Sequence, residues 1–108
     1  MITIQDFQRL EIRVGEIIAA GKVPGADKLL QLTLDFGDEA RTAVAGIALC
    51  YEPGQLVGKR VVALTNLQPA IIRGVRSDAM ILACGGEHDL SLVVTDPDRP
   101  APKGALVR

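Results

Sequence analysis

The sequence has little aromatic character, since it contains two phenylalanines, one tyrosine and no tryptophan. With 48% hydrophobic residues, drawn mostly from the aliphatic types, the chain is predicted to fold around an aliphatic core. The composition disfavours a surface lined with stacking aromatic rings, the usual device for holding single-stranded nucleic acid. Any recognition of a folded RNA would depend on backbone and loop contacts instead.

The chain is also poor in residues that bind metals or act as nucleophiles. His88 is the only histidine, and the two cysteines, Cys50 and Cys84, lie in separate apolar runs. A zinc site needs about four such ligands, and the sequence has neither a GxxxxGK[ST] nor a GxGxxG phosphate-binding motif. The apolar runs predict buried, reduced thiols that behave as small apolar residues. We therefore predict no metal, no cofactor and no enzyme activity.

Long hydrophobic runs are missing as well. The longest one, near residues 43–51, is far shorter than the ~20 residues that a membrane helix needs. The first residues lack the basic and apolar regions of a signal peptide. These features predict a cytoplasmic protein without a membrane partner.

Positive charge is not in excess: 12 Lys and Arg residues face 13 Asp and Glu residues, for a formal net charge of −1. Nucleic-acid-binding domains usually carry a basic surplus. Binding of a nucleic acid would therefore require the basic residues to cluster on one face, or the phosphate contacts to be weak.

The hydrophobic pattern predicts an all-β domain that starts with one short helix. Thr3 and Asp6 resemble a capping box, and apolar residues at helical spacing continue to residue 10. A long first strand follows from residue 11, with a bulge or bend predicted at Gly15. A Pro-Gly turn is predicted within residues 23–27, and residues 66–78 are predicted to be irregular. Further strands are predicted at residues 30–36, 41–47, 60–65, 79–84 and 91–95, with a short edge strand at 103–108.

The length of 108 residues fits a single domain spanning residues 1–108. Many short strands at this spacing fit either an OB-type barrel or a small sandwich. The periodicity alone does not choose between these two architectures.

Five stretches, in order along nearly the whole chain, resemble the motifs of one family. They are residues 6–15 (DFQRLEIRVG), 25–29 (GADKL), 41–47 (RTAVAGI), 66–80 (NLQPAIIRGVRSDAM) and 102–108 (PKGALVR). Together they resemble the tRNA-binding domain found at the C-terminus of bacterial methionyl-tRNA synthetase. The same domain type occurs in free-standing tRNA-binding proteins and in the CsaA-type export chaperones.

The resemblance implies a five-stranded OB-fold Greek-key barrel with a short N-terminal helix and a C-terminal extension. It further implies a homodimer that binds tRNA by shape, with an aminoacyl-tRNA synthetase as a possible partner. The dimer interface is expected to use Phe7, Leu10 and the C-terminal tail. The alternative function is that of a CsaA-type chaperone, which would bind peptides in an exposed apolar groove.

The sequence departs from the family pattern at four positions. Gln68 and Ile71 stand where lysines are usual, Ala45 stands in place of a serine, and Ala79 stands in place of a glycine. The two missing positive charges agree with the net charge of −1. We therefore expect weaker tRNA binding than is usual in the family, or a changed partner.

Seven residues form the candidate tRNA-binding site, and each also has a purely structural interpretation. Arg41 could form a surface ion pair, Asn66 could cap its own turn, and Met80 could pack in the core. Arginines that flank a glycine could simply be solvated, or they could contact phosphates and stack on bases. The candidate residues are Lys28, Arg41, Asn66, Arg73, Arg76, Ser77 and Met80.

Overall fold

A computed structural model describes all residues, 1–108, and it contains one short helix and nine strands, of which the first two are long. The elements are α1 (Ile4–Gln8), β1 (Ile12–Val23), β2 (Ala26–Asp35), β3 (Ala40–Ala45), a 3₁₀ turn (Pro53–Gln55), β4 (Arg60–Leu64), β5 (Ala70–Ile72), β6 (Val75–Ser77), β7 (Met80–Ile81), β8 (Ala83–Cys84) and β9 (Ser91–Leu92). The predicted all-β class with one N-terminal helix is confirmed. No helix has the length and apolar character needed to cross a membrane.

The main sheet has five antiparallel strands in the order β3-β2-β1-β4-β7. Strand β1 is long enough to serve two partners, because it pairs with β4 up to Glu16 and with β2 from Glu16 onward. The hydrogen-bonded sheet is not closed, and β3 and β7 are its edges. One backbone bond crosses near this gap, from Asp78 N to Thr42 O at 2.8 Å. Two small hairpins, β5–β6 and β8–β9, complete the strands.

The predicted bulge at Gly15 is wrong in position. The register of β1 against β2 shifts between Ile17 and Ala19 and again near the end of the strand, whereas Gly15 pairs regularly with Val61. A side chain at Gly15 would place its Cβ 2.8 Å from the Phe36 ring. The glycine is therefore needed for close packing of this ring against β1.

The main core lies between β1, β2, β3 and β4 and is aliphatic apart from one ring. Leu30, Leu32, Leu34 and Phe36 alternate with partly or fully exposed residues and are all completely or almost completely buried. This pattern confirms the period-two prediction for β2, although the strand begins earlier, at Ala26.

Several predicted boundaries are wrong. The helix ends at Gln8 and not at residue 10, and the predicted strand at 79–84 is broken into β7 and β8. Cys84 is exposed and Cys50 is half-buried, so the prediction of two buried thiols is wrong. The predicted edge strand at 103–108 is reduced to a single bridge between Arg13 and Leu106.

An arginine whose side chain is largely covered helps to attach the C-terminal tail to the sheet. The guanidinium of Arg13 donates to Asp38 Oδ1 at 2.8 Å and to the carbonyl of Gly104 at 3.3 Å. The same group lies over the Phe36 ring, 5.3 Å from its centroid, which suits a cation–π contact.

A second ion pair and three backbone hydrogen bonds strengthen this attachment. Lys103 Nζ lies 2.8 Å from Asp35 Oδ2. Gly104 N donates to Val14 O at 2.8 Å, Val14 N to Ala105 O at 2.9 Å, and Val107 N to Ile12 O at 2.8 Å. The hydrogen bond from Lys103 lowers the pKa of Asp35, and that from Arg13 lowers the pKa of Asp38. The bond to Asp35 in turn raises the pKa of Lys103. We call this set of contacts around Arg13, Phe36 and residues 103–104 the C-terminal anchor.

Candidate functional site

The segment predicted to be irregular, residues 66–78, contains the β5–β6 hairpin. Ile72 pairs with Val75, and the two residues between them, Arg73 and Gly74, have φ angles of +51° and +79°. Two consecutive positive φ angles are typical of a type I′ hairpin turn. Arg73 is therefore exposed at the tip of the hairpin, in a conformation that few non-glycine residues adopt.

Ser77 fixes the base of this hairpin. Its hydroxyl accepts a bond from Val44 N at 3.0 Å and donates to Ala79 O at 3.3 Å. The residue is buried, so its side chain joins the hairpin to β3 and is not exposed to a ligand in this conformation. A direct contact of Ser77 with RNA stays a prediction.

A polar groove of about 750 Å³ lies between the end of β4, the start of β3 and the β5–β6 hairpin. Three of the candidate residues, Arg41, Asn66 and Arg76, contribute to its walls. The other lining residues are Glu39, Ala40, Thr65, Leu67, Gln68, Pro69 and Asp78. Of these, Leu67, Thr65 and Pro69 carry no individual signal in the sequence, whereas Gln68 stands out as a departure from the family motif.

Arg41 bonds to three other residues that line the polar groove. Its guanidinium pairs with the Glu39 carboxylate and donates to the carbonyls of Thr65 and Asp78. The side chain is largely buried by these contacts. The predicted ion pair with the preceding loop is confirmed, and the side chain also links β3 to the segments that follow β4 and β6.

Asn66 connects the groove to the N-terminal helix. Its Oδ1 accepts from Glu11 N at 2.8 Å, and its Nδ2 donates to Arg9 O at 2.7 Å. The amide therefore bonds to backbone groups far away in the sequence and does not cap its own turn, as the alternative interpretation held. Its contact with RNA stays a prediction.

Arg76 is the basic residue of the groove that projects most freely. Its side chain is 66% exposed and bonds only to Asp78, with Nε 2.7 Å from Oδ1. An exposed pair of this kind contributes little to stability and can exchange partners readily. Arg76 can therefore turn from Asp78 to a phosphate at little cost.

A smaller apolar slot of about 180 Å³ adjoins the polar groove. Met80 lines it and is exposed because it alternates with the buried Ala79 and Ile81 along the chain. The interpretation of Met80 as a core residue is therefore wrong. The other residues that line the slot are Val44, Leu67, Gln68, Ala70, Ile72, Ser77, Asp78 and Ala79.

The remaining two candidate residues lie in a different cleft. Arg73 and Lys28 line a space of about 410 Å³ beside the β1–β2 turn. Lys28 pairs with the Glu87 carboxylate, which raises the pKa of Lys28 through the hydrogen bond and the opposite charge. Arg73 is the one basic candidate without an ion pair. The seven residues thus divide among three spaces, the polar groove, the apolar slot and this cleft, and the β5–β6 hairpin contributes residues to all three.

No group of three or more His, Cys, Asp or Glu side chains is arranged to hold a metal ion. The chemistry that the site offers is therefore that of its guanidinium, ammonium, amide and thioether groups. These groups suit reversible contacts with phosphates and base edges.

Sequence comparisons identify a family. Residues 12–106 match the family model described as "Putative tRNA binding domain". The chain is 46% identical over 107 residues to the methionine–tRNA ligase of Methanopyrus kandleri and 49% identical over 107 residues to that of Bacillus subtilis. In both cases the match covers 99% of this chain, which spans only 16% of the length of the ligase.

Solved structures agree with this grouping. The MetRS related protein from Pyrococcus horikoshii superposes with a TM-score of 0.92 at 32% identity, covering 100% of this chain and 98% of that one. The chaperone CsaA from Bacillus anthracis gives a TM-score of 0.88 at 27% identity, covering 100% and 99%. Because the family model matches most of the sequence, this chain belongs to the family of tRNA-binding domains.

Proposed function

We propose that the protein is a non-catalytic module that binds tRNA by its overall shape. The observation that carries this proposal is that the β5–β6 hairpin places the exposed Arg76 in the polar groove and the exposed Arg73 in the cleft beside the β1–β2 turn, in a chain of this family. Phosphate contacts from such side chains position an RNA without reading its sequence. Lys28 and Arg41 would extend the basic surface on either side of the hairpin.

We further propose that the sheet forms an OB-type Greek-key barrel with terminal extensions. Two features support this architecture. Strand β1 is shared between two halves of the sheet, and the bond from Asp78 N to Thr42 O joins the segments near its two edges. A small barrel commonly uses one long, bent strand in this way.

A homodimer is part of the proposal. The short helix α1 has no buried residue, and Ile4, Leu10 and Leu106 are exposed apolar residues. The bridge between Leu106 and Arg13 places the end of the tail beside the start of β1, close in sequence to α1. A second copy of the chain would remove this apolar surface from water, at roughly 25 cal/mol per Å² of apolar area.

Sedimentation velocity tests the dimer. Deletion of residues 1–10 or Ile4→Asp is expected to give monomer or aggregate, since Ile4 is 62% exposed in the isolated chain. Val57→Asp is the matched control, because Val57 is 56% exposed but lies far from α1 in the sequence. A fully folded dimer after both N-terminal changes would contradict the proposed interface.

Cooperation with an aminoacyl-tRNA synthetase in the cytoplasm completes the proposal. It is supported by relatives that are methionine–tRNA ligases, of which this chain spans about 16%. A module of this kind would raise the effective concentration of tRNA near the ligase.

A second candidate function is that of a CsaA-type peptide-binding chaperone. It is favoured by the likeness to CsaA structures and by the apolar slot next to Met80. The two functions differ in the salt dependence of binding, because only the RNA complex releases many counterions.

Gel shifts with unfractionated tRNA at low and moderate salt separate the candidates, with duplex DNA and unfolded peptide as comparators. We expect tRNA binding that exceeds DNA binding and weakens steeply with salt. Arg73→Ala should reduce the slope of log affinity against log salt by about one unit. Absence of tRNA binding at low salt, with clear peptide binding, would favour the chaperone.

A further inference from the structure

The polar groove and the apolar slot adjoin each other. Leu67, Gln68 and Asp78 line both spaces, between β3 and the β5–β6 hairpin, and we call the two spaces together the depression. The depression is therefore charged at one end, where Arg76 lies, and apolar at the other, where Met80 lies.

The slot has the size of one small ring system. Its volume of about 180 Å³ is about six times the ~30 Å³ that a water molecule occupies in the liquid. Leu67 and Met80 both line it, and both are exposed in this structure. Exposed apolar side chains gathered around one opening indicate a binding function more strongly than scattered ones.

Gln68 stands at the junction of the two spaces. Its amide offers both a donor and an acceptor, which is the combination that reads the polar edge of a base. A lysine at this position would offer a phosphate contact but no acceptor. The glutamine thus suits a ligand that combines a flat apolar face with a polar edge.

We propose that this depression holds one unstacked nucleotide of the bound RNA. The base enters the slot against Met80 and Leu67, Gln68 contacts its edge, and its phosphate lies beside Arg76. This assignment rests on the proposed tRNA-binding function and gives it a base-contacting subsite. Methionine sulfur packs favourably against aromatic rings, so Met80 replaces the aromatic platform that the sequence lacks.

A peptide is the less suitable occupant. An extended peptide needs alternate pockets along a sheet edge or groove, whereas this slot takes a single ring and leads to a guanidinium. The arrangement matches the splayed bases that proteins recognise in the single-stranded loops of folded RNA.

Methyl NMR of the full chain tests the proposal. The protein contains two methionines, Met1 and Met80, so ¹³C-methyl labelling gives one reporter that lines the slot and one that lines neither space. On titration with unfractionated tRNA we expect an upfield ring-current shift of the Met80 methyl signal and a smaller response from Met1. An unfolded peptide is titrated in parallel.

Matched truncations provide the second measurement. Met80→Ala should weaken tRNA binding about fivefold and leave the salt slope unchanged, because an apolar contact releases no counterions. Ile71→Ala is the control, since Ile71 is 70% exposed and pairs with Arg76 on the same hairpin but lines neither space. Equal thermal melting curves for the two variants verify that both remain folded.

The outcomes distinguish the subsite from the proposed function. Salt-dependent tRNA binding with no Met80 methyl shift, or with equal effects of the two truncations, would overturn the subsite and leave the proposed function standing. Absence of tRNA binding by the unaltered protein would overturn both. A Met80 shift produced by the peptide and not by tRNA would assign the slot to peptide binding.

Discussion

Two arginines in this molecule lie in opposite environments. Arg13, in the C-terminal anchor, has a side chain only 12% exposed, with contacts to a carboxylate, a carbonyl and an aromatic ring. Arg76, in the polar groove, is 66% exposed and contacts one carboxylate. Both are paired with an aspartate at a similar distance, 2.8 Å and 2.7 Å.

The two arginines differ in which groups lose a hydrogen-bond partner when the arginine is removed. Removal of Arg13 leaves the part-buried carbonyl of Gly104 without its partner and uncovers the Phe36 ring, which is costly, whereas the other partner, Asp38, is 67% exposed and takes up water. Removal of Arg76 affects only Asp78, whose side chain is 30% exposed and can bind water in place of the lost partner. Ion-pair geometry alone therefore does not distinguish a structural arginine from a binding one, whereas the surrounding burial does.

The largest change in stability is expected for Gly104→Ala, in the C-terminal anchor. Gly104 has φ +85°, and a Cβ there would lie 2.4 Å from Phe36 O. Strain and overlap together should lower the free energy of unfolding by about 3 kcal/mol. Chemical denaturation measures this change.

Gly21→Ala is the matched control, since a Cβ at Gly21 meets no atom within 4 Å. It should leave stability nearly unchanged. If Gly104→Ala also leaves the free energy of unfolding unchanged, the C-terminal tail does not pack against the sheet in solution as the C-terminal anchor requires. Binding of tRNA well below the melting temperature should survive both substitutions.

The second test removes each of the two arginines separately and compares the stability and the tRNA binding of the two variants. Arg13→Ala should cost about 2 kcal/mol of stability, because it removes two hydrogen bonds and the packing on Phe36. Arg76→Ala should leave the melting temperature almost unchanged but lower the salt slope of tRNA binding by about one unit. Similar stability losses in both variants would refute the distinction between the two regions.

The contrast also explains what the sequence could predict. The alternation of Leu30, Leu32 and Leu34 is a local pattern, and it correctly located β2 and its buried face. The anchor depends on contacts between residues 25 and 91 positions apart, for which no local pattern exists. Asn66 likewise bonds to groups 55 and 57 positions away.

The candidate site was predictable in its residues but not in its arrangement. The family motif pointed to Arg73, and Arg76 was added because the two arginines flank Gly74, yet the hairpin directs them to separate clefts. The turn was missed because Arg73 takes a positive φ, which sequence patterns associate with Asn, Asp or Gly. The lining role of Leu67 depends on the tertiary positions of β3 and the hairpin, which the sequence does not encode locally.

A third test uses pH. The pKa values of Asp35 and Asp38 are lowered by their bonds to Lys103 and Arg13, so their contribution is complete above the unfolded value of about 3.9. This contribution is lost as pH falls through the lower, folded pKa values. Melting temperature should therefore drop on the acid side. Asp38→Asn should make that drop shallower, and an unchanged acid limb would show that the Arg13–Asp38 pair is not formed in solution.

The melting temperature at alkaline pH does not distinguish the two regions. The pKa values of Lys103 in the C-terminal anchor and of Lys28 near the hairpin are both raised by carboxylate partners. Each contribution is present below the unfolded value of about 10.4 and is lost as pH rises through the folded pKa. The ion pair of Lys28 is exposed on both sides and is screened by solvent, so we expect its share of the alkaline loss to be small.

The smallest expected effect comes from releasing an exposed lysine. Glu87→Gln removes the partner of Lys28, whose ion pair is exposed on both sides. Stability should not change measurably, but tRNA affinity at low salt should rise about twofold, since Lys28 is then free to meet a phosphate. Asp98→Asn changes the net charge equally at an exposed acid that forms no ion pair, and it is the control. An equal gain in tRNA affinity from both variants would attribute the effect to net charge. It would contradict a specific contact between Lys28 and the RNA.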